Sequence, residues 1–322
     1  MKSKVKITKQ KTYSLDEIVS FVQETISRFS VHSPLFKAGD KVLLKPNLLR
    51  ASIPEKCIVT HPIVIEAVCI ALKEMGIGEI DIADSPAIGS PEHVARKAGY
   101  GNLAKRYGVN LTSLKRPMPM ETLERIPHLK IAGSLKDYDR IINIPKVKSH
   151  CQMTLTLSTK NLFGVVIGKR KPVLHCLVQN DKLKFGRLVV EIAKQVSPDL
   201  TIVDGVTAMQ GNGPINGTPY PLGILAAGTD MTAIDRVVAD VLQAPVDRVY
   251  TLAAARQLNY GAYSLEDIEL IGEHDLDSLR VHDFELAKRA MDISFNPARI
   301  AKSFLKQFIE IVFKEKFAGG VR

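Results

Sequence analysis

Apolar positions along this chain fall into two rhythms. Short solid runs occur in DKVLLKPN (Asp40–Asn47), GEIDIADSP, DRIINIPK, LTIVDG and LGILAAGTD, and each reads as a strand buried on both faces. Between them, apolar residues recur at helical spacing. SLDE at Ser14–Glu17 reads as a capping box that opens an amphipathic helix to about Phe29. Pro62 starts IVIEAVCIALKEMG, which Gly76 closes, and another helix begins near Pro91. GRLVVEIAKQV and MTAIDRVVADVLQ supply two more. Strands alternating with helices imply βαβ units, hence an α/β fold with a largely parallel open sheet and flanking helices.

The same pattern sets the organisation. Residues 1–288 read as an α/β domain, divisible into lobes 1–200 and 201–288, and Thr112–Lys136 is the least regular part of the first half. Residues 289–322 read as a basic tail. There Ile300, Phe304, Phe308, Ile309 and Phe313 recur at helical spacing, and Pro297 and Gly319 suit the ends of an amphipathic helix.

Composition narrows the class. Of the 322 residues, 45% are hydrophobic and 24% charged, the balance of a folded globular protein. No apolar run follows the basic first residues and none is long enough to span a bilayer, so a cytoplasmic location is expected. Cys57, Cys69, Cys151 and Cys176 are widely scattered, which suits reduced thiols rather than a disulfide framework. The formal net charge of +10 admits nucleic acid, a membrane surface or a small anion as partner. Aromatic residues are only 6% and Trp is absent, so the basic segments lack stacking platforms for bases. No specific nucleic-acid partner is expected. The tail is expected to contact the body of the protein, with a partner subunit or a membrane surface as the other choices.

The charge is not spread evenly. From Arg140 to Asn180 the chain carries Arg140, Lys146, Lys148, Lys160, Lys169, Arg170 and Lys171 and no acidic residue. In an open parallel sheet, ligands bind beyond the carboxyl ends of the strands, and here the residues just past four strands are unusually polar. They are Lys45-Pro46-Asn47 with a loop on to His61, then Asp84-Ser85, then the loop from Lys146 to His150, and finally Asp204-Gly205. Lys45, Lys146 and Lys148, with Asn47, His61, Ser85 and Asn161, would bind a small anionic ligand. Crowding would lower lysine pKa values, so that Lys160 could act chemically near neutral pH. His150 and His175 would move protons, and Asp84 and Asp204 would orient them or accept a proton. The start of the helix after His61 would add N–H groups that favour an anion. Lys169 and Lys171 read as solvated surface charges.

Three sharper motifs fail. GVVIGKRK (Gly164–Lys171) has the wrong glycine spacing for a phosphate loop and Arg170 where Ser or Thr must hold magnesium; no G-x-G-x-x-G follows the first strand. The pairs His150-Cys151 and His175-Cys176 offer at most one metal ligand each, and no metal site is assigned.

The ordered set KPNLL, VTHP, DSP, NIPKVKSH, T-KNLFG and DGVTAMQGNGP resembles the family known as domain of unknown function 362, from about Lys41 to Gly272. That resemblance implies an α/β domain of unassigned activity, often joined to a ferredoxin-like module with two iron–sulfur clusters. This chain has no C-x-x-C-x-x-C run to hold such a cluster. His150, Lys160 and His175 are also similar in spacing to residues of the nickel-pincer lactate racemases. There the first histidine is an acid–base catalyst, the lysine anchors the cofactor and the last histidine binds nickel. Ser158-Thr159 stands where that family has a glycine pair, so only the idea that the three positions face one pocket carries over.

The function expected is therefore acid–base chemistry on a small carboxylate or phosphate substrate, with no cofactor named by the sequence. The alternative is a non-catalytic accessory or binding protein for redox or iron–sulfur partners.

Overall fold

Every strand expected from a solid apolar run forms, and all join one sheet. The computed structural model describes residues 2–87, 89–126, 129–167, 171, 174 and 181–288. Thirteen strands are present among them: β1 Ser3–Lys9, β2 Lys41–Pro46, β3 Glu79–Asp84, β4 Asn110–Ser113, β5 Pro117–Pro119, β6 Lys130–Ala132, β7 Arg140–Ile144, β8 Lys146–His150, β9 Thr154–Thr156, β10 Leu200–Asn212, β11 Asn216–Tyr220, β12 Ile224–Gly228 and β13 Ile268–Ile271. The main path of the sheet runs β13-β1-β12-β10-β7-β2-β3-β4. From β10 to β4 all neighbours are parallel, with Val42 opposite Arg140 and Ile80.

The strand read from LGILAAGTD, β12, runs antiparallel to both neighbours. Its link to β10 passes through β11, a hairpin partner of β10, and contains no crossover helix. A parallel return needs such a crossover, so this strand has to come back the other way. β1 had no counterpart in the sequence reading; it inserts between β12 and β13. The irregular stretch Thr112–Lys136 contains the end of β4 and the small β5–β6 pair.

Helices cover both faces. They are α1 Leu15–Phe29, α2 Pro62–Glu74, α3 Pro91–Lys97, α4 Tyr100–Tyr107, the single turn α5 Ser158–Asn161, α6 Lys182–Val196 and α7 Met231–Val241, among others. Alternation along β2 explains why its apolar run is unbroken. Val42 and Leu44 pack under α1 and α2 with Phe21, Val22, Val64 and Leu72, while Leu43 packs on the opposite face with Leu188, Val189 and Ile192 of α6. Each such side chain, fully buried, contributes about 1.5–3 kcal/mol. Ser14 is the N-cap of α1, but its side chain makes no capping hydrogen bond, so that capping box is not closed. Among the described residues, no helix is long and apolar enough to cross a membrane. The tail helix expected at Pro297–Phe317, and His175 with Cys176, lie outside the described residues.

Candidate functional site

The strand ends of the parallel half deliver the polar residues to one place. β2 brings Lys45, β3 brings Asp84, β10 brings Asp204, and β8 brings Lys146, Lys148 and His150 on alternate positions of a single face. The sequence suggested a loop after β7. Instead Pro145 ends one strand and the chain continues as β8, with Lys146 opposite Asp204 and Lys148 opposite Met209 of β10. Lys45 is 0% exposed, and Lys146 and Lys148 are each 1% exposed, so these are interior lysines rather than rim lysines.

Two of them are paired. Lys45 Nζ lies 2.9 Å from Asp84 Oδ1 and donates to the Pro46 carbonyl at 3.1 Å. Asp84 also accepts from the backbone N–H groups of Leu48 and Ser85. Lys146 Nζ lies 2.9 Å from Asp204 Oδ2 and 2.6 Å from the Tyr13 hydroxyl. Tyr13 donates to Asp204 Oδ1 at 3.0 Å, its ring stacks on His61 at 3.5 Å between centroids, and burial holds its hydroxyl well above the usual range. Asp204 Oδ2 further accepts from the His61 backbone N–H at 2.8 Å. The anion at the start of α2 is therefore the protein's own Asp204.

Among the described residues, Lys148, Lys160 and Lys171 form no ion pair with a carboxylate. Lys148 Nζ donates to Asn47 Oδ1 and to the Ile58 carbonyl. Burial, with Lys146 and Lys160 nearby, brings its pKa down to about 7. Lys160 is half-buried in α5 and finds no hydrogen-bond acceptor among the described residues; its Nζ sits 4.6 Å from the Phe163 ring centroid and 5.5 Å from that of Phe185. Burial, then Lys171 and Lys45, brings it to about 7 as well. Lys171 is not a free surface charge: it donates to the carbonyls of Ser85 and Gly164, and burial lowers it to about 8. Burial also lowers Lys45.

Three asparagine amides tie the halves together. Asn47 Nδ2 donates to Asn161 Oδ1 at 2.8 Å, and Asn161 Nδ2 donates to Asn143 Oδ1 at 2.8 Å. Asp235 of α7 accepts from the backbone N–H groups of Ser158 and Thr159, which fixes α5 and so the place of Lys160. Burial nevertheless raises the Asp235 pKa to about 6. Gly164 permits the close approach: a Cβ there would collide with Asp84 Oδ1 and Lys45 Nζ. Tyr13, Asn143, Gly164, Lys171 and Asp235 were not among the residues selected from the sequence. Only the absence of a tolerable side chain at Gly164 had a visible signal, a glycine inside an apolar run.

The histidines sit differently from one another. His61 Nδ1 accepts from the Ile63 N–H as the cap of α2, and burial lowers its pKa to about 4. His150 is 8% exposed and its Nδ1 accepts from the N–H groups of Gln152 and Met153. The structure thus brings Lys45, Asn47, Asp84, Lys146, Lys148, Lys160, Asn161, Asp204, His61 and the Ser85 backbone into one connected region. It leaves His150 turned to its own loop for those bonds, while His175 is not described.

His175, which the nickel-racemase resemblance would put on a metal, lies outside the described residues. No three His, Cys, Asp or Glu side chains among the described residues gather as a metal-binding group. Cys69 is buried in α2 and burial pushes its thiol up to about 12, against the thiolate that an iron–sulfur cluster needs.

An α/β sheet with a lysine-rich cluster at its parallel strand ends defines the class. The particular family follows from comparison: residues 42–240 match the domain of unknown function (DUF362), and the chain belongs to that family. It is 34% identical over 315 residues to the thylakoid-associated protein sll1697 of Synechocystis sp., across 98% of this chain and 97% of that one. Among solved structures, a Thermotoga maritima protein matches with a TM-score of 0.42 at 14% identity, over 66% of this chain and 55% of its own. The lactate racemase apoprotein of Thermoanaerobacterium thermosaccharolyticum matches with a TM-score of 0.39 at 10% identity, over 71% and 54%. The chain spans just over half the length of these two solved structures, and likenesses this partial carry no functional argument.

Proposed function

We propose that this chain binds and acts on a small anion, a carboxylate or phosphate, at the strand-end lysine cluster. One observation carries the reading. Lys45, Lys146, Lys148, Lys160 and Lys171 converge on a region whose carboxylates, Asp84 and Asp204, are already taken by Lys45 and Lys146. Burying a cation without a counter-charge is costly, and an anionic ligand supplies the missing charge. The cations are interior, so they serve a small ligand better than a nucleic-acid backbone.

Acid–base work on that ligand falls to the lysines. With pKa values of about 7, Lys148 and Lys160 can each give or take a proton at neutral pH. Neutral His61, with Nδ1 held as acceptor, carries its hydrogen on Nε2 and serves as a hydrogen-bond donor. A thermal-shift panel of phosphate, mono-, di- and tricarboxylates tests the reading. At least one anion raises the Tm of the wild type, and Lys148→Met and Lys160→Met each lose most of that rise. If no anion protects, or both variants respond like the wild type, the reading fails.

The cytoplasmic location goes with this proposal. The cyanobacterial relative is named for thylakoid association, which makes a membrane surface the competing location, with the basic tail as its contact. Fractionation of cells expressing the full chain separates the two.

A further inference from the structure

Lys160 is not built like its neighbours. Lys45, Lys146, Lys148 and Lys171 each spend their ammonium hydrogens on oxygen acceptors of the protein. Lys160 has none among the described residues, stays half-buried, and stands against the faces of Phe163 and Phe185. The groups acting on it are cations on the surrounding elements: Lys45 of β2, Lys148 of β8 and Lys171. Asp235, the carboxylate nearest its helix turn, is occupied by the backbone N–H groups of Ser158 and Thr159. A lysine needed only as a fixed charge gains from acceptors that hold it. A lysine that must react as the free amine gains from having none, with apolar walls and repelling cations.

We infer that Lys160 is a covalent nucleophile that forms an imine with an anionic aldehyde or ketone, such as a 2-oxo acid, whose anion rests on the neighbouring lysines. This rests on the anion-binding reading above and names the substrate class. In the step, the neutral Lys160 nitrogen attacks the carbonyl carbon and a C–N bond forms. The C–O bond then breaks, and the oxygen leaves as water with the two amine hydrogens. A proton returned to the imine nitrogen restores the positive charge, with no oxidant or reductant consumed. The ammonium of Lys148 or solvent can supply that proton. The iminium then lies beside cations, which makes it strongly electrophilic toward proton loss or bond cleavage at the adjacent carbon.

The test is reductive trapping on the full-length chain. Pyruvate and glyoxylate serve as probes, acetaldehyde as the uncharged control, and sodium cyanoborohydride reduces any imine to a stable secondary amine. Peptide mass spectrometry should place the pyruvate or glyoxylate adduct on Lys160 ahead of every other lysine, with acetaldehyde showing no such preference. Adduct yield should rise about tenfold between pH 6 and pH 8 and then level, as a group titrating near 7 requires, whereas an ordinary lysine rises about a hundredfold and keeps rising. Lys160→Arg should abolish the adduct. Adducts scattered over exposed lysines, or a Lys160 yield that climbs without levelling, overturn the inference. The mapping on the wild type decides this even if the variant does not fold. Thermal protection by phosphate or acetate without any Lys160 adduct sinks only the imine; absence of both sinks the anion-binding reading itself.

Discussion

The polar interior has two halves of opposite finish. In one, Lys146 meets Asp204, Tyr13 and, through Asp204, the start of α2, and every charge has its partner. In the other, Lys148 leans on one amide and one carbonyl, and Lys160 on aromatic faces. A protein retains the first arrangement for folding, because breaking a buried pair leaves a stranded charge. The second arrangement works against folding, and the anion proposed above would offset that cost.

The largest effect that would break this contrast is on stability. Asp204→Ala should cost about 3–5 kcal/mol in urea unfolding, because it strands Lys146 and the N–H of His61. Lys148→Met should stay within about 1 kcal/mol of the wild type in the absence of ligand, since removing an unpaired buried cation relieves desolvation and repulsion. Equal losses for the two would erase the distinction. Next comes Gly164→Ala, whose added methyl must push apart the Asp84–Lys45 pair; a loss of about 1–3 kcal/mol is expected in the same measurement.

A pH effect follows. Below its pKa a lysine is charged, so an anion prefers the protonated site and raises the lysine pKa on binding. At pH 8, above the values of about 7, binding should take up between about one and two protons, read from calorimetry in two buffers of different ionisation enthalpy. Buffer-independent heats would remove Lys148 and Lys160 from the site. Asp235 gives a smaller signal of its own. Its folded pKa of about 6 lies above the ordinary carboxylate value, so the folded state binds the extra proton between about pH 4 and 6. Stability from this group therefore falls as pH rises through that window and is level above it. Asp235→Asn should flatten that slope while keeping an acceptor for α5. The smallest effect is at the exposed pair Arg116–Asp137, where Arg116→Ala should leave the urea-unfolding midpoint unchanged.

The parallel half of this architecture was legible because its strands are solid apolar runs and its helices carry clear periods. The strand-end rule then placed Lys45, Asp84, Lys148 and Asp204 together, and in the structure Lys45 pairs with Asp84, Asp204 pairs with Lys146, and Lys148 lies near both pairs. What escaped shows the limits of pattern. KVKSH in β8 is buried from end to end, yet lysines count as polar in any hydropathy pattern, so it read as a loop. β1, SKVKITK, was not read as a strand, because Val5 and Ile7 are its only apolar residues and lysines and polar residues surround them. Partner choice was equally hidden. Asp84 and Asp204 were expected to serve histidines, whereas Lys45 and Lys146 claim them; which side chain meets which depends on register, and register is set by pairings far apart in sequence. Tyr13 reaches the cluster from the loop ahead of α1 and Asp235 from α7, and the strand-end rule covers neither.

Lys148 and Lys160, brought to about 7 by burial and neighbouring cations, are the proposed anion-binding groups. Selective 13C labelling of lysine Cε, with NMR titration from pH 5 to 11, observes this directly. Two resonances, assigned by Lys148→Arg and Lys160→Arg, should titrate near pH 7 in the free protein and move to higher pH once a protecting anion is added. If every lysine resonance titrates above about pH 9.5, or the two stay unmoved by every anion, the unpaired half of the interior is not a binding site.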